Sequence, residues 1–247
     1  MTLKLLSYNI RYGGVGREQA LARTIEECAP DVVVFQEATH PHVIERLAQG
    51  AGMKTWAATP AHSVGFMTRL DVAHHEWHRP PPCRRAYLEL VLAGSALRIF
   101  GVHLSAVHSN WTEQRRAREL EAMLHSIARH QNGFHVLAGD FNTLAPDEKL
   151  DLRRLPFHLR LLAIAMGGTI RWQTIRLMIE AHYIDGYRRL HPTDEGHTFP
   201  TWNPHVRIDY VFVPGADATR LRSCHVVNGR NAALASDHFP LLAEIEA

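Results

Sequence analysis

The sequence predicts an α/β or α+β fold built on packed β-sheet. Two observations carry this: short apolar runs alternate with amphipathic stretches along the chain, and nine such runs, rich in Val, Ile, Leu or aromatics, outnumber the helical segments. No repeat or low-complexity tract interrupts the alternation. The breaks at Arg79–Arg85, with three consecutive prolines, and at His191–Pro204 are flanked by apolar runs and read as loops. A single domain over residues 1–247 is therefore expected.

In chain order the strands are predicted at Leu3–Tyr8, Val32–Gln36, Val64–Thr68, Tyr87–Leu92, Leu97–Val102, Phe134–Ala138, Ile208–Val213, Leu221–Val227 and Phe239–Ile245. The clearest helix starts at Asn110, an N-cap with Glu113 three residues on, and carries Ala117, Leu120, Leu124, Ile127 and Ala128 on one face until Asn132-Gly133. Pro41 opens another helix that runs to about Gly50. Its partner is predicted at Glu18–Cys28. Between about 150 and 181, an apolar stretch studded with Arg160, Arg171 and Arg176 reads as a helical insertion, a hairpin broken at Gly167-Gly168. Peripheral contact of residues 155–181 with lipid is the alternative reading.

Composition excludes several classes. Lys plus Arg number 27 against 25 Asp plus Glu, so a net charge of +2 gives no global footprint for nucleic acid, although a local basic patch is compatible with it. Cys28, Cys83 and Cys224 stand far apart and are odd in number, which argues against a disulfide framework and for a reducing cytoplasm. The amino terminus lacks the pattern of a secretion signal, and the longest uncharged apolar run near the middle of the chain, Leu161–Ile170, is far short of the ~20 residues that span a bilayer. A monomer without a transmembrane segment is expected.

The chemistry lies where polar residues interrupt apolar runs. Asn9, Glu37, His103 and Asp140 each follow a predicted strand, Asp209 lies within another, and Asp237-His238 precede the last. If the sheets bring these ends together, four carboxylates meet and raise one another's pKa unless a cation neutralises them. Oxygen donors from Asp, Glu and Asn suit Mg²⁺ or Mn²⁺ better than zinc. Magnesium is the metal expected.

Tyr8-Asn9-Ile10, Gln36-Glu37, Val102-His103-Leu104, Gly139-Asp140-Phe141-Asn142, Arg207-Ile208-Asp209-Tyr210 and Ser236-Asp237-His238-Phe239-Pro240 stand in one order across nearly the whole chain. This ordered set resembles the endonuclease/exonuclease/phosphatase superfamily. The resemblance implies a four-layered sandwich, two mixed β-sheets face to face with helices outside, and a Mg²⁺-dependent phosphodiesterase or phosphomonoesterase site at one end. It implies Glu37 as main metal ligand with Asn9 and Asp237. Asp140 would hold the attacking water, Asn142 would bond a phosphate oxygen, Asp209 would fix His238, and His103 would be a second donor. Arg207 becomes a candidate contact for substrate phosphate. The substrate is then a phosphate ester, with nucleic acid, a lipid head group or a small metabolite all open.

Rival readings are testable on the same residues. A calcineurin-like metallophosphatase requires an Asp-x-His near the first strand, where Asn9 stands. An inactive binding module on the same fold should have lost some of the six motifs. His74, His75, Glu76 and His78 lack the spacing of a zinc helix and read as surface groups. Arg11 stands where some nucleases place an acidic residue.

Overall fold

The computed structural model describes residues 2–106, 110–130, 133–146, 148 and 172–247. Among them twelve strands form two six-stranded sheets. The first contains β1 (Thr2–Asn9), β2 (Val32–Gln36), β3 (Thr55–Ala57), β4 (Val64–Thr68), β11 (Leu221–Val226) and β12 (Leu241–Glu246), in the order β11-β12-β1-β2-β4-β3. The second contains β5 (Val72–His78), β6 (Tyr87–Leu92), β7 (Arg98–His103), β8 (His135–Asp140), β9 (Tyr183–Asp185) and β10 (Asp209–Pro214), in the order β5-β6-β7-β8-β10-β9. In each sheet the only parallel pairing is central, β1 with β2 and β7 with β8; every other pairing is antiparallel.

The period-2 alternation of each central strand divides its side chains between two cores. Leu3 and Leu5 of β1, Val32 and Val34 of β2, Ile99 of β7, Val136 of β8 and Val211 of β10 lie between the sheets. From the same strands, Leu6, Tyr8, Val33 and Phe35 face outward under α1 (Glu18–Cys28) and α2 (Pro41–Gly50). Val102, Leu137, Tyr210 and Phe212 face outward under α3 (Asn110–Ser126) and α4 (Thr174–Glu180). Strands covered on both faces need apolar residues on both, which is why they stand out as continuous runs. The result is the expected four-layered sandwich. Short helices α5 (Gly186–Leu190) and α6 (Arg230–Ala235) close the described elements.

Strand ends differ from expectation by one or two residues, and the differences matter. Asn9, His103 and Asp140 are the last residues of β1, β7 and β8 rather than one or two residues beyond them, and Asp209 is the first of β10. β12 begins at Leu241 because the Phe239 amide is bonded to the Thr198 carbonyl instead of to the sheet. Three strands were not anticipated. β3 and β9 are three-residue edge strands, and β5 is a polar, largely exposed edge paired to β6 through a register shift. α3 ends at Ser126, followed by a 3-10 turn at Ala128–His130. Of the insertion expected at 150–181, only Thr174–Glu180 is a described helix; residues 149–171, including the proposed break at Gly167-Gly168, lie outside the described residues.

One glycine is required where the two central strands of the second sheet meet. Gly139 has φ +155, and a Cβ there would stand 1.9 Å from the Val102 carbonyl oxygen on β7. Gly139→Ala must therefore push β8 away from β7 beside Asp140. The expected loss is about 3 kcal/mol or more of folding stability, read as a shift in urea midpoint; an unchanged midpoint would contradict this packing.

Candidate active site

The site forms where the carboxyl ends of the two parallel pairs meet. Asn9 pairs with Gln36 at the end of β1 and β2, and His103 pairs with Asp140 at the end of β7 and β8. Asp209 pairs directly with Asp140, because antiparallel β10 starts where β8 stops. Asp237-His238 enter the same rim on the way into antiparallel β12.

Asp140 is the hub. Its carboxylate, 1% exposed, accepts Asn9 Nδ2 at 3.0 Å across the two sheets, and the Asn142 amide and Nδ2 at 2.8 and 3.0 Å. His103 Nε2 lies 3.7 Å from the same carboxylate. Asn142, at φ +52, also donates to the Leu104 carbonyl at 3.2 Å. His238 Nδ1 is 2.9 Å from Asp209 Oδ2, and its ring packs 4.8 Å from that of Phe199. Asp140, Asp209 and His238 each offer a ligating atom within 4.8 Å of the others.

Burial and these neighbours set the charge states. Burial would pull the His238 imidazolium down, but the Asp209 carboxylate, with Asp140 and Asp237 beyond it, pushes it up to about 9, so the ring is a cation at neutral pH. Burial raises the Asp140 carboxyl to about 7, with Asp209 adding to the rise and His238 opposing it. Burial, then the Arg85 and His238 charges, hold His103 well below the ordinary histidine value, so it is neutral. A cationic donor, a carboxyl poised near neutrality and a neutral imidazole thus share one buried space.

The oxygen donors lie around the turn that follows β1. The Arg11 amide donates to Asn9 Oδ1 at 3.0 Å, the Tyr12 amide donates to Glu37 Oε2, and Arg11 Nε stands 3.3 Å from Asp237 Oδ2. Ser236 Oγ ties Asp237 to β1 by donating to the Asn9 carbonyl at 2.6 Å. Two carboxylates and an amide oxygen from three segments, each touching Arg11 or Tyr12 of this turn, are the hard donor type that suits a small dication. The residues present fit a divalent metal.

Some sequence expectations are corrected. Arg207 does not reach this centre: fully buried, it places Nη1 2.7 Å from Asp185 and donates through Nε and Nη2 to Glu148 at 2.8 and 2.6 Å. A guanidinium held by two carboxylates in the core has no charge to spare for a phosphate. His74, Glu76 and His78 pair among themselves on edge strand β5, and His78 also meets Glu89 at 2.7 Å. The sequence did not single out the Thr198–Thr201 segment. Its Thr198 hydroxyl takes the Ile208 amide, its Thr198 carbonyl takes the Phe239 amide, and the Thr201 amide donates to the Asp237 carbonyl, so it clamps Asp209 beside His238. Its Pro and Thr content signalled only a loop.

Glu113, read as half of a capping box, has a second use. Its carboxylate accepts Arg116 Nη2 at 2.8 Å, the Thr143 hydroxyl at 2.7 Å and the Gln173 and Thr174 amides at 2.8 Å each, anchoring the loop that carries Asn142 and the start of α4. No local sequence signal marks such a contact.

Buried carboxylates and histidines gathered at the carboxyl ends of strands in a double-sheet sandwich are the arrangement of a phosphoesterase. Residues 6–238 match the family described as "Endonuclease/Exonuclease/phosphatase family", and the chain belongs to it. Solved structures with the same fold include a Neisseria 3' phosphatase, NExo, bound to product DNA hairpin (19% identity, TM-score 0.72, 99% of this chain and 100% of that one). An AP endonuclease from Archaeoglobus fulgidus is also similar (18% identity, TM-score 0.72, with 99% and 100% covered). A humanized D. rerio TDP2 aligns at 17% identity with TM-score 0.69, covering 100% of this chain and 99% of its own. No curated protein matches the sequence. Among the described residues no helix is long and apolar enough to cross a membrane.

Glu113→Gln tests the anchor. Although burial would raise the Glu113 carboxyl, the Arg116 charge and its hydrogen bonds hold it below the ordinary value. A depressed carboxylate stabilises the fold above its unfolded pKa of about 4.3, and this contribution is lost as pH falls through the lower folded value. The variant should lose about 3–5 kcal/mol at pH 7, because Arg116 is left buried beside a neutral amide. The deficit should narrow below about pH 4. Urea denaturation at both pH values measures this, and a deficit that widens in acid would be inconsistent with it.

Proposed function

We propose that this chain hydrolyses a phosphodiester by in-line attack of water, with Mg²⁺ (or Mn²⁺) held by Glu37, Asp237 and Asn9. The carrying observation is the buried Asp140, Asp209 and His238 group, a base and a cationic donor within 4.8 Å. When bound, the metal would supply Lewis-acid stabilisation of the phosphoryl oxygens.

The protein's own groups supply the remainder. Asp140, oriented by Asn9 and Asn142, holds the attacking water and takes its proton, a role suited to a carboxyl raised toward neutrality. His238, kept cationic by Asp209, faces the charge that develops on phosphorus-bound oxygen. His103 and the Asn142 amide add neutral donors. The 3' phosphatase and AP endonuclease among the similar folds support a phosphate-ester substrate. Three unpaired thiols support a reducing compartment, the cytoplasm.

The test is turnover of diester and monoester panels with and without EDTA. Diester hydrolysis should require Mg²⁺ or Mn²⁺ and fall roughly 10²-fold or more in both Asp140→Asn and His238→Ala. Hydrolysis that survives EDTA, or that both variants retain, would rule the reading out. Exclusive monoester turnover would replace the diester with a monoester substrate.

A further inference from the structure

A second polar surface adjoins the site on the side of the second sheet. Pro82, Arg84, Trp111, Gln114, Arg115 and Arg118 line an open groove of about 340 Å³. Trp111 is 63% exposed, and the Arg115 guanidinium lies over its ring at 4.1 Å, one helical turn along α3. Arg118 continues the same face, at the i, i+4, i+7 positions of the helix. Among the described residues none of Arg84, Arg115 and Arg118 has a carboxylate within ion-pair distance. The modest net charge of +2 therefore conceals a local cationic cluster.

This groove is built onto the reaction centre. The loop containing Arg84 leads into β6, whose start lies beside the end of β7 that carries His103. Glu119 of α3 fastens the two together: its carboxylate accepts the Arg84 amide at 3.3 Å and the Ser105 hydroxyl at 2.8 Å, two residues beyond His103. Arg85 reaches the Leu104 carbonyl, which also accepts Asn142. On the other side of the centre, Tyr12 and Trp202 are 73% and 68% exposed, with the Arg11 guanidinium 5.4 and 6.0 Å from their rings. An exposed aromatic paired with an arginine thus flanks the centre on both sides.

Resting on the phosphodiesterase reading, we propose that the Trp111 groove holds an unpaired segment of a nucleic-acid strand whose adjacent scissile phosphate sits at Asp140 and His238. Arg84, Arg115 and Arg118 meet its phosphates, and a base stacks on Trp111, while Tyr12 and Trp202 offer stacking faces beyond the centre. An exposed indole offers its face to an unstacked base, whereas the base faces of a duplex are already stacked. A lipid surface fits less well, because among the described residues Trp111 is the one large exposed hydrophobic residue of the groove and a membrane-seated face requires contiguous apolar surface.

The experiment uses the full chain with Mg²⁺ and fluorescent phosphorothioate DNA and RNA strands of about 12 nucleotides, a length within known single-strand site sizes. Matching duplexes and phosphatidylserine vesicles are the competing probes. Trp111→Ala should weaken strand binding roughly 5- to 100-fold. Arg115→Ala with Arg118→Ala should lower the salt dependence of log K by about 1.4, at about 0.7 per phosphate contact. Arg222→Ala, which removes an exposed charge on β11, should bind as wild type does, and unfolding midpoints check that each variant is folded. Wild-type affinity in the groove variants, or tighter binding to duplex than to single strand, would overturn the proposal. So would vesicle binding that disappears in the same variants while strand binding is absent. Wild-type turnover of a small aryl phosphodiester reads the centre alone: turnover without strand binding removes this inference and leaves the phosphodiesterase, whereas strand binding without turnover removes the phosphodiesterase reading.

Discussion

The hydrogen bond from Asn9 to Asp140 joins the last residue of β1 to the last residue of β8, and so one sheet to the other. Asp140 is a carboxylate removed from water, a state that is costly unless donors converge on it. Three donors do so, one from Asn9 and two from Asn142, and the two residues depend on different parts of the fold. Asn9 requires the two sheets to be packed at their present separation. Asn142 requires the loop after β8 to turn back, which the Thr143 bond to Glu113 enforces from α3. Weakening any of these leaves a buried charge partly unsatisfied, so the catalytic geometry and the packing of the sandwich are coupled.

The two sheets reach this point by the same route. Each has its one parallel pair in the middle and antiparallel strands on either side, although the sequence contains no repeat. Parallel strands end together, which puts Asn9 beside Gln36 and His103 beside Asp140. Antiparallel neighbours begin where those strands end, which brings Asp209 from β10 and Asp237-His238 from the approach to β12. One rim therefore collects side chains from six segments far apart in sequence. The sandwich contributes position, and the residue types at the strand ends contribute the chemistry.

This division explains what was legible in the sequence. The central strands are covered on both faces, so their apolar runs are long, and a polar residue at their end is conspicuous; Asn9, His103 and Asp140 were visible for that reason. Edge strands carry no such signature. β5 reads as a polar stretch, Val72–His78, and forms a strand because β6 offers it an unpaired edge. Arg207 was read as a phosphate contact because it stands in one motif with Asp209, whereas its partners Asp185 and Glu148 come from distant segments. Glu113 and the arginines of α3 depend on which face of a helix meets which loop, and spacing along one chain does not encode that.

The charges are segregated in space in a way that composition averages out. The centre is acidic, and the protonated His238 offsets the Asp209, Asp140 and Asp237 carboxylates gathered around it. The backbone there is strained as well: Arg11, Tyr12, Glu37 and Asn142 all have positive φ, a conformation that costs an ordinary residue on the order of 1 kcal/mol or more. The turns are retained because they aim the Arg11 and Tyr12 amides at Asn9 and Glu37, and Asn142 at Asp140. Arg115 and Arg118 of α3 stand outside this space, half-buried and exposed respectively, whereas Arg116 is buried against Glu113. Placed within it, they would pair with the carboxylates, as Arg11 does with Asp237. Placed at the rim, they add attraction for a phosphate-bearing substrate without neutralising the groups that act on it.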